Sequence, residues 1–135
     1  MNITYAAHDR VAAEELASVF RASTLRRPVD DIGRVQKMID GAQLIVTARD
    51  ADAGNKLIGV ARSITDFCYA CYLSDLAVDV AYQRQGIGKR LVQLTRDAIG
   101  PQTMLLLIAR ADAMEYYPHI GFAKCERAWV IDRTA

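Results

Sequence analysis

The sequence predicts an α+β fold: a mixed, mostly antiparallel central sheet with one parallel strand-helix-strand crossover, flanked by helices. Three observations predict it. Two segments near the N-terminus repeat apolar residues at helical spacing; three β-prone runs then follow one another across short polar turns; an apolar run, a glycine-containing loop, an amphipathic segment and a second apolar run come last. Strands joined by short turns pair antiparallel, whereas a strand that returns through a helix pairs parallel with its predecessor, by a right-handed connection.

Taken in order, residues 3–5 are a short β-prone opening, and Asp9 is placed to cap a helix carrying Val11, Leu16, Val19 and Phe20 on one face. Pro28 follows a break, Asp30 and Asp31 mark a second helix start, and Ile32, Val35, Met38 and Ile39 form its apolar stripe before Gly41 ends it. Residues 43–49 and 57–64 read as a hairpin around the turn at 50–56, which contains Gly54 and Asn55. The third strand of the series takes in Phe67, Tyr69 and Tyr72 and runs to Val78 with one acid, Asp75, inside it. Gly86 and Gly88 open a helix through Leu91, Val92, Leu94 and Ile99, which Gly100 and Pro101 close. Residues 104–109 then form an apolar strand, 113–117 a short helix, Pro118 to Gly121 a turn, and a last strand is expected within 122–131.

Composition bounds the function. The 135 residues, 52% hydrophobic and 24% charged, suit one globular domain over the whole chain and are too few for two. A net charge of +1 gives no field to gather nucleic acid or an anionic membrane, so neither is expected as a partner. No segment approaches the roughly 20 apolar residues of a membrane span, and Met1 to Tyr5 lacks a charged leader, so a cytoplasmic protein is expected. Cys68, Cys71 and Cys125 are an odd set, expected to stay reduced. Cys68 and Cys71 have C-x-x-C spacing but lie in a strand-like run, with no second ligand pair, so no metal site is expected.

The stretch from Leu76 to Arg90 carries the chemistry. It sets a polar, glycine-containing loop between an apolar strand and a helix, and the first amides of a helix, unpaired and at the positive end of its dipole, make an anion site. Glycine at 86 and 88 admits close backbone approach. A Walker A loop would need glycine at Gln83 and Ser or Thr at Arg90; a dinucleotide fingerprint would need glycine at Leu91. Neither is present, and on spacing alone an ordinary loop-to-helix junction stands beside the anion site.

Gln83-Arg84-Gln85-Gly86-Ile87-Gly88 resembles the Q/R-x-x-G-x-G/A motif of the GNAT superfamily of N-acetyltransferases, and Ala113-Met114-Glu115-Tyr116-Tyr117-Pro118-His119-Ile120-Gly121-Phe122 resembles its A-x-x-(aromatic)-Y-x-x-x-G-F segment. The resemblance implies acetyl-CoA as co-substrate, a sheet splayed between its fourth and fifth strands, and direct acetyl transfer in a ternary complex to the primary amine of a small molecule or protein. The backbone of Leu76, Ala77 and Val78 would pair with the pantetheine arm; Gln83, Arg84, Gln85, Gly86, Ile87, Gly88 and Lys89 would hold the pyrophosphate, with Arg90 close by. Tyr117 matches the tyrosine that often protonates the leaving sulfur, while Tyr116 is assigned to packing. Asp75 is the candidate base, directly or through water, because burial within an apolar strand would raise its pKa; the alternative is a carboxylate hydrogen-bonded to a neighbour. Asp79 is assigned to capping the loop and His119 to an exposed turn.

Two departures stand out: Arg110 replaces an asparagine common in the family, and the chain after Phe122 has room for one good strand only, which points to a homodimer completing the substrate side. A coenzyme A-binding sensor without turnover, or an interaction module using Leu25-Arg26-Arg27, are the alternatives from other classes.

Overall fold

The computed structural model describes all 135 residues. Strand β1 (Ile3–Ala7) precedes helices α1 (Ala13–Ser23) and α2 (Ile32–Asp40); β2 (Leu44–Asp50), β3 (Lys56–Thr65) and β4 (Ala70–Val78) follow, then α3 (Ile87–Ile99), β5 (Met104–Leu106) and a one-turn α4 (Tyr116–His119). The sheet order is β1-β2-β3-β4-β5; every pair is antiparallel except β4 with β5, which α3 connects. The α+β fold expected from the sequence is the observed one.

Two cores explain the layers. Leu44, Val46, Ile58 and Leu73 pack from one face of the sheet against Ile87, Leu91, Val92 and Ile99 of α3. Ile45, Leu57, Val60 and Ala77 pack from the other face against Val11, Leu16, Val19 and Phe20 at α1 and Val35 of α2. Central strands buried on both faces lose the apolar-polar alternation of a half-exposed strand, and β2 is buried at six of its seven residues. No helix is long and apolar enough to cross a membrane.

Local details correct several expectations. Asp9 does not cap α1: its carboxylate accepts from Thr47 and Arg49, while Glu15 reaches back to accept from the Ala12 amide at 2.9 Å. Asp31 does cap α2, accepting from the Arg34 amide at 3.1 Å. Residues 66–69 form a turn rather than the start of β4, because Asp66 accepts from the amides of Cys68, Tyr69 and Ala70; those three bonds hold its carboxyl down to about 2. Cys68 is therefore exposed in the turn, Cys71 is buried in β4, and all three cysteines are free thiols. Strand β5 is only three residues long, half the expected 104–109. The expected short helix shifts to α4, with Pro118 in its first turn, where a missing amide costs nothing. The strand expected within 122–131 does not form: Trp129 and Ile131 stand 94% and 98% exposed.

Strand β4 carries the irregularity that shapes the site. Arg62 of β3 pairs with Asp75, but Ser63 pairs with Leu73, so Ser74 is an extra residue, a β-bulge. The extra residue reverses which side chains face which layer. Leu73 joins the α3 core whereas Ala77 joins the α1–α2 core, although strict alternation would put both on one face.

Candidate active site

Strand β5 pairs with β4 only along Ala70, Cys71 and Tyr72, so the β5-side edge of β4 is open beyond that point. A cleft of about 1180 Å³ runs along the open edge. It is lined by Leu76, Ala77 and Val78 of β4, by Gln83, Arg84, Gly86, Ile87, Gly88 and Lys89 of the loop and the start of α3, and by Tyr117. Those are ten of the residues singled out from the sequence, brought to one groove; Gln85 and Asp75 are not on its surface.

The loop is fixed from beneath. Asp79 accepts from the Ala81 amide at 2.9 Å and lies 3.7 Å from Lys56 Nζ, while the Tyr82 hydroxyl donates to Asp50 at 2.7 Å, which pushes the Tyr82 phenol pKa up. Asp79 thus has the capping role expected of it. Gln83 Nε2 donates to the Val78 carbonyl at 2.9 Å, joining the loop to the end of β4. Arg84 is held at φ 63° and Gly86 at φ 79°, two left-handed residues that turn the chain sharply into α3.

No side chain caps α3. Its first-turn amides, from Ile87 to Lys89, therefore have no partner within the helix and point their positive charge at the cleft end. This is what a pyrophosphate requires, and Lys89 and Arg84 add charge from the same lining. A Cβ on Gly86 would meet nothing within 4 Å, so that position needs glycine for its φ, not for space. Gly88 is the reverse case. A Cβ there would sit 2.7 Å from Tyr116 Oη, so the phenol of Tyr116 lies against the helix start. Tyr116, read from the sequence as packing, is a cleft residue that no spacing could have revealed. Arg90 turns the other way and stacks over the Tyr5 ring at 5.9 Å, outside the lining.

Tyr117 is half-buried, edge-on to Tyr116 at 5.2 Å and to Phe122 at 5.6 Å. Burial raises its pKa above the ordinary phenol value, Tyr116 adds to the rise, and Arg110 opposes it. The hydroxyl therefore keeps its proton at neutral pH. His119 is exposed, as expected, and is not a cleft residue.

Asp75 lies fully buried beneath the cleft, turned to the α1–α2 side by the bulge at Ser74. Arg27 Nε donates to one carboxylate oxygen and Arg62 Nε to the other. Both arginines anchor further: Arg27 donates to the Ser74 carbonyl at 2.9 Å, and Arg62 to the Met38 carbonyl and Ser74 Oγ, each at 3.0 Å. With a guanidinium donor on each oxygen and no exposure to the cleft, the carboxylate has no free oxygen to offer a substrate's proton. The geometry thus weighs against Asp75 as a base and for a brace that fixes the α1–α2 connection onto the sheet.

A family model described as an acetyltransferase (GNAT) domain matches residues 12–132. The chain belongs to the GNAT family. The GNAT chain is 35% identical over 69 residues to GCN5-related N-acetyltransferase 2, chloroplastic, of Arabidopsis thaliana, a match covering 50% of the chain and 27% of the plant protein. It thus spans less than a third of that relative's length. Among solved structures, a protein of unknown function from meticillin-resistant Staphylococcus aureus superposes with a TM-score of 0.81 at 22% identity, covering 98% of this chain and all of the other. An aminoglycoside N-acetyltransferase in complex with CoA superposes with a TM-score of 0.70 at 13% identity, covering 99% and 96%. Both likenesses are of fold.

Proposed function

We propose that this chain transfers an acetyl group from acetyl-CoA to an amine, by direct attack within a ternary complex. The observation that carries the reading is the continuity of the cleft: uncapped helix amides at one end, an unpaired strand edge along its side, and a protonated phenol on its wall. The aminoglycoside enzyme of the same fold is described in complex with CoA, which supports the cofactor class.

Acetyl-CoA, when bound, supplies the acyl group as an activated thioester. The chain's own groups supply the rest. Amides of Gly86, Ile87, Gly88 and Lys89 bind the pyrophosphate, aided by Gln83, Arg84 and Gln85 at the loop's outer side. The free edge of Leu76, Ala77 and Val78 offers main-chain donors and acceptors to an extended chain carrying amides, as a fifth strand would receive them. A main-chain amide on that edge polarises the carbonyl under attack and stabilises its oxyanion. Tyr117 holds a proton at Oη and gives it to the departing sulfur. The lining contains neither His nor Glu; its acids are Asp112, bound to Arg110 at 2.9 Å, and the exposed Asp132, and the amine's proton leaves through water.

Thermal denaturation tests this. Acetyl-CoA should raise the melting temperature by its ratio of concentration to Kd, whereas ATP and NAD at the same concentration should not. A larger shift with ATP would sink the cofactor assignment.

A further inference from the structure

We propose that the acceptor amine of this chain also carries an anionic group, a carboxylate or a phosphate, recognised by Arg26 and Arg34 at the end of the cleft remote from the phosphate loop. The inference rests on the acetyl-transfer reading above and specifies its substrate class.

That end of the cleft is lined by the α1–α2 connection, by α2 and by β3, which contribute Arg26, Arg27, Arg34 and Arg62. Two carboxylates stand beside the four: the buried Asp75, whose two oxygens are taken by Arg27 and Arg62, and Asp31, which accepts from the Arg34 amide at 3.1 Å. Two negative charges against four positive ones leave a surplus of two. The remaining nitrogens of Arg27 and Arg62 are occupied by carbonyls and Ser74, so those two form the fixed floor. Arg26 and Arg34 differ: both are exposed, and neither guanidinium donates to a protein acceptor or pairs with a carboxylate. Arg110, the next cation along the lining, is matched by Asp112 at 2.9 Å. Asp132 and Arg133, from the C-terminal segment, are neighbours of opposite sign.

Two consequences follow from this field. A guanidinium with five free donors fits a carboxylate or phosphate, and an acceptor carrying one gains charge-assisted hydrogen bonds. A polyamine would instead bring further positive charge to a positive wall, which opposes its binding. The same field disfavours an ammonium relative to the free amine, so it lowers the acceptor's pKa toward the nucleophilic form. That effect replaces part of the work of a base in a cleft whose lining has no His or Glu.

The test compares matched amines: L-alanine with L-alaninamide for a carboxylate source, glucosamine 6-phosphate with glucosamine for a phosphate source, and spermidine as polycation. Coenzyme A release from acetyl-CoA is followed, together with the melting temperature of the CoA-bound protein in each amine, which needs no turnover. The expected result is that one anionic member exceeds its neutral counterpart by about tenfold or more in kcat/KM, or stabilises the CoA complex where the counterpart does not. Arg34→Gln and Arg26→Gln, both at exposed positions, should each shrink that ratio several-fold. Equal treatment of both matched pairs, or preference for spermidine, overturns the inference while leaving acetyl transfer intact. Failure of acetyl-CoA itself to stabilise the protein overturns both readings.

Discussion

At one end of the cleft stand main-chain amides at the start of α3, set by Gly86 at φ 79°; at the other stand guanidiniums from the α1–α2 connection, α2 and β3, two of which, Arg27 and Arg62, are held by a carboxylate on β4. The first end is local. Its parts lie within a few residues of one another, and its chemistry comes from the peptide group itself, which any sequence supplies once the chain turns correctly. The second end is assembled from afar: Asp75 meets Arg27 across 48 residues and Arg62 across 13. A site made of backbone tolerates change in side chains but not in backbone conformation, whereas a side-chain site fails when one partner of a charge cluster is removed.

The largest expected effect lies at the second end. Asp75→Asn leaves two guanidiniums facing each other with their shared counter-charge gone, and removing one partner of a buried ion cluster costs about 3 kcal/mol or more. Urea denaturation should show a lower midpoint with an unchanged slope, the product of slope and midpoint shift giving that free energy. A base at this position predicts the opposite pattern, full stability with turnover abolished, and that result would erase the contrast between the two ends.

Tyr117 stands between the ends, and its replacement tests chemistry apart from either binding region. Tyr117→Phe keeps the edge-on packing against Phe122 and removes the proton at Oη. Turnover should fall by about 10²-fold, with acetyl-CoA affinity little changed. The pH dependence has a definite sign: burial raises the phenol pKa, so the acid form persists beyond the ordinary value of about 10 and kcat should show no Tyr117-dependent descending limb below it. An ascending limb, activity gained as pH rises toward about 10, that vanishes in Tyr117→Phe would mean the phenol acts ionised, and the assignment as acid would fail.

The smallest effect is expected from Gly86→Val at the first end. No atom obstructs the new side chain, but a β-branched residue is strained at φ 79°, so the turn relaxes and the amides lose their common aim. Affinity for coenzyme A should drop by about tenfold, since roughly 1–2 kcal/mol of strain is at stake. Unchanged affinity in calorimetric titration of a folded variant would place the pyrophosphate elsewhere.

The sequence is most legible where structure depends on near neighbours. Asp31 capping α2 and Asp79 holding the loop were readable from residue type and position. So was the expectation that Gly86 opens a helix, because a glycine before an amphipathic run has few other uses. The misreadings share a cause. Asp9 looks like a cap until Thr47 and Arg49, far along the chain, compete for its carboxylate. Residues 66–69 look like a strand until Asp66 gathers three amides and closes a turn. The apolar run near the C-terminus looks like a final strand, yet a strand is stable only when an edge accepts it, and Trp129 to Ile131 pair with none.

By itself, then, the order of residues determined the α+β architecture and the loop-to-helix junction at Gly86, since periodicity and glycine placement act over one or two turns of chain, and it carried the two motifs that resemble those of the GNAT family. Tertiary structure alone decided the fate of Asp75. Strand periodicity gives each residue a face only while the register is unbroken, and the single extra residue at Ser74 reverses the faces beyond it. Asp75 is thereby delivered to two arginines instead of a cleft, and one backbone irregularity separates a candidate base from a brace.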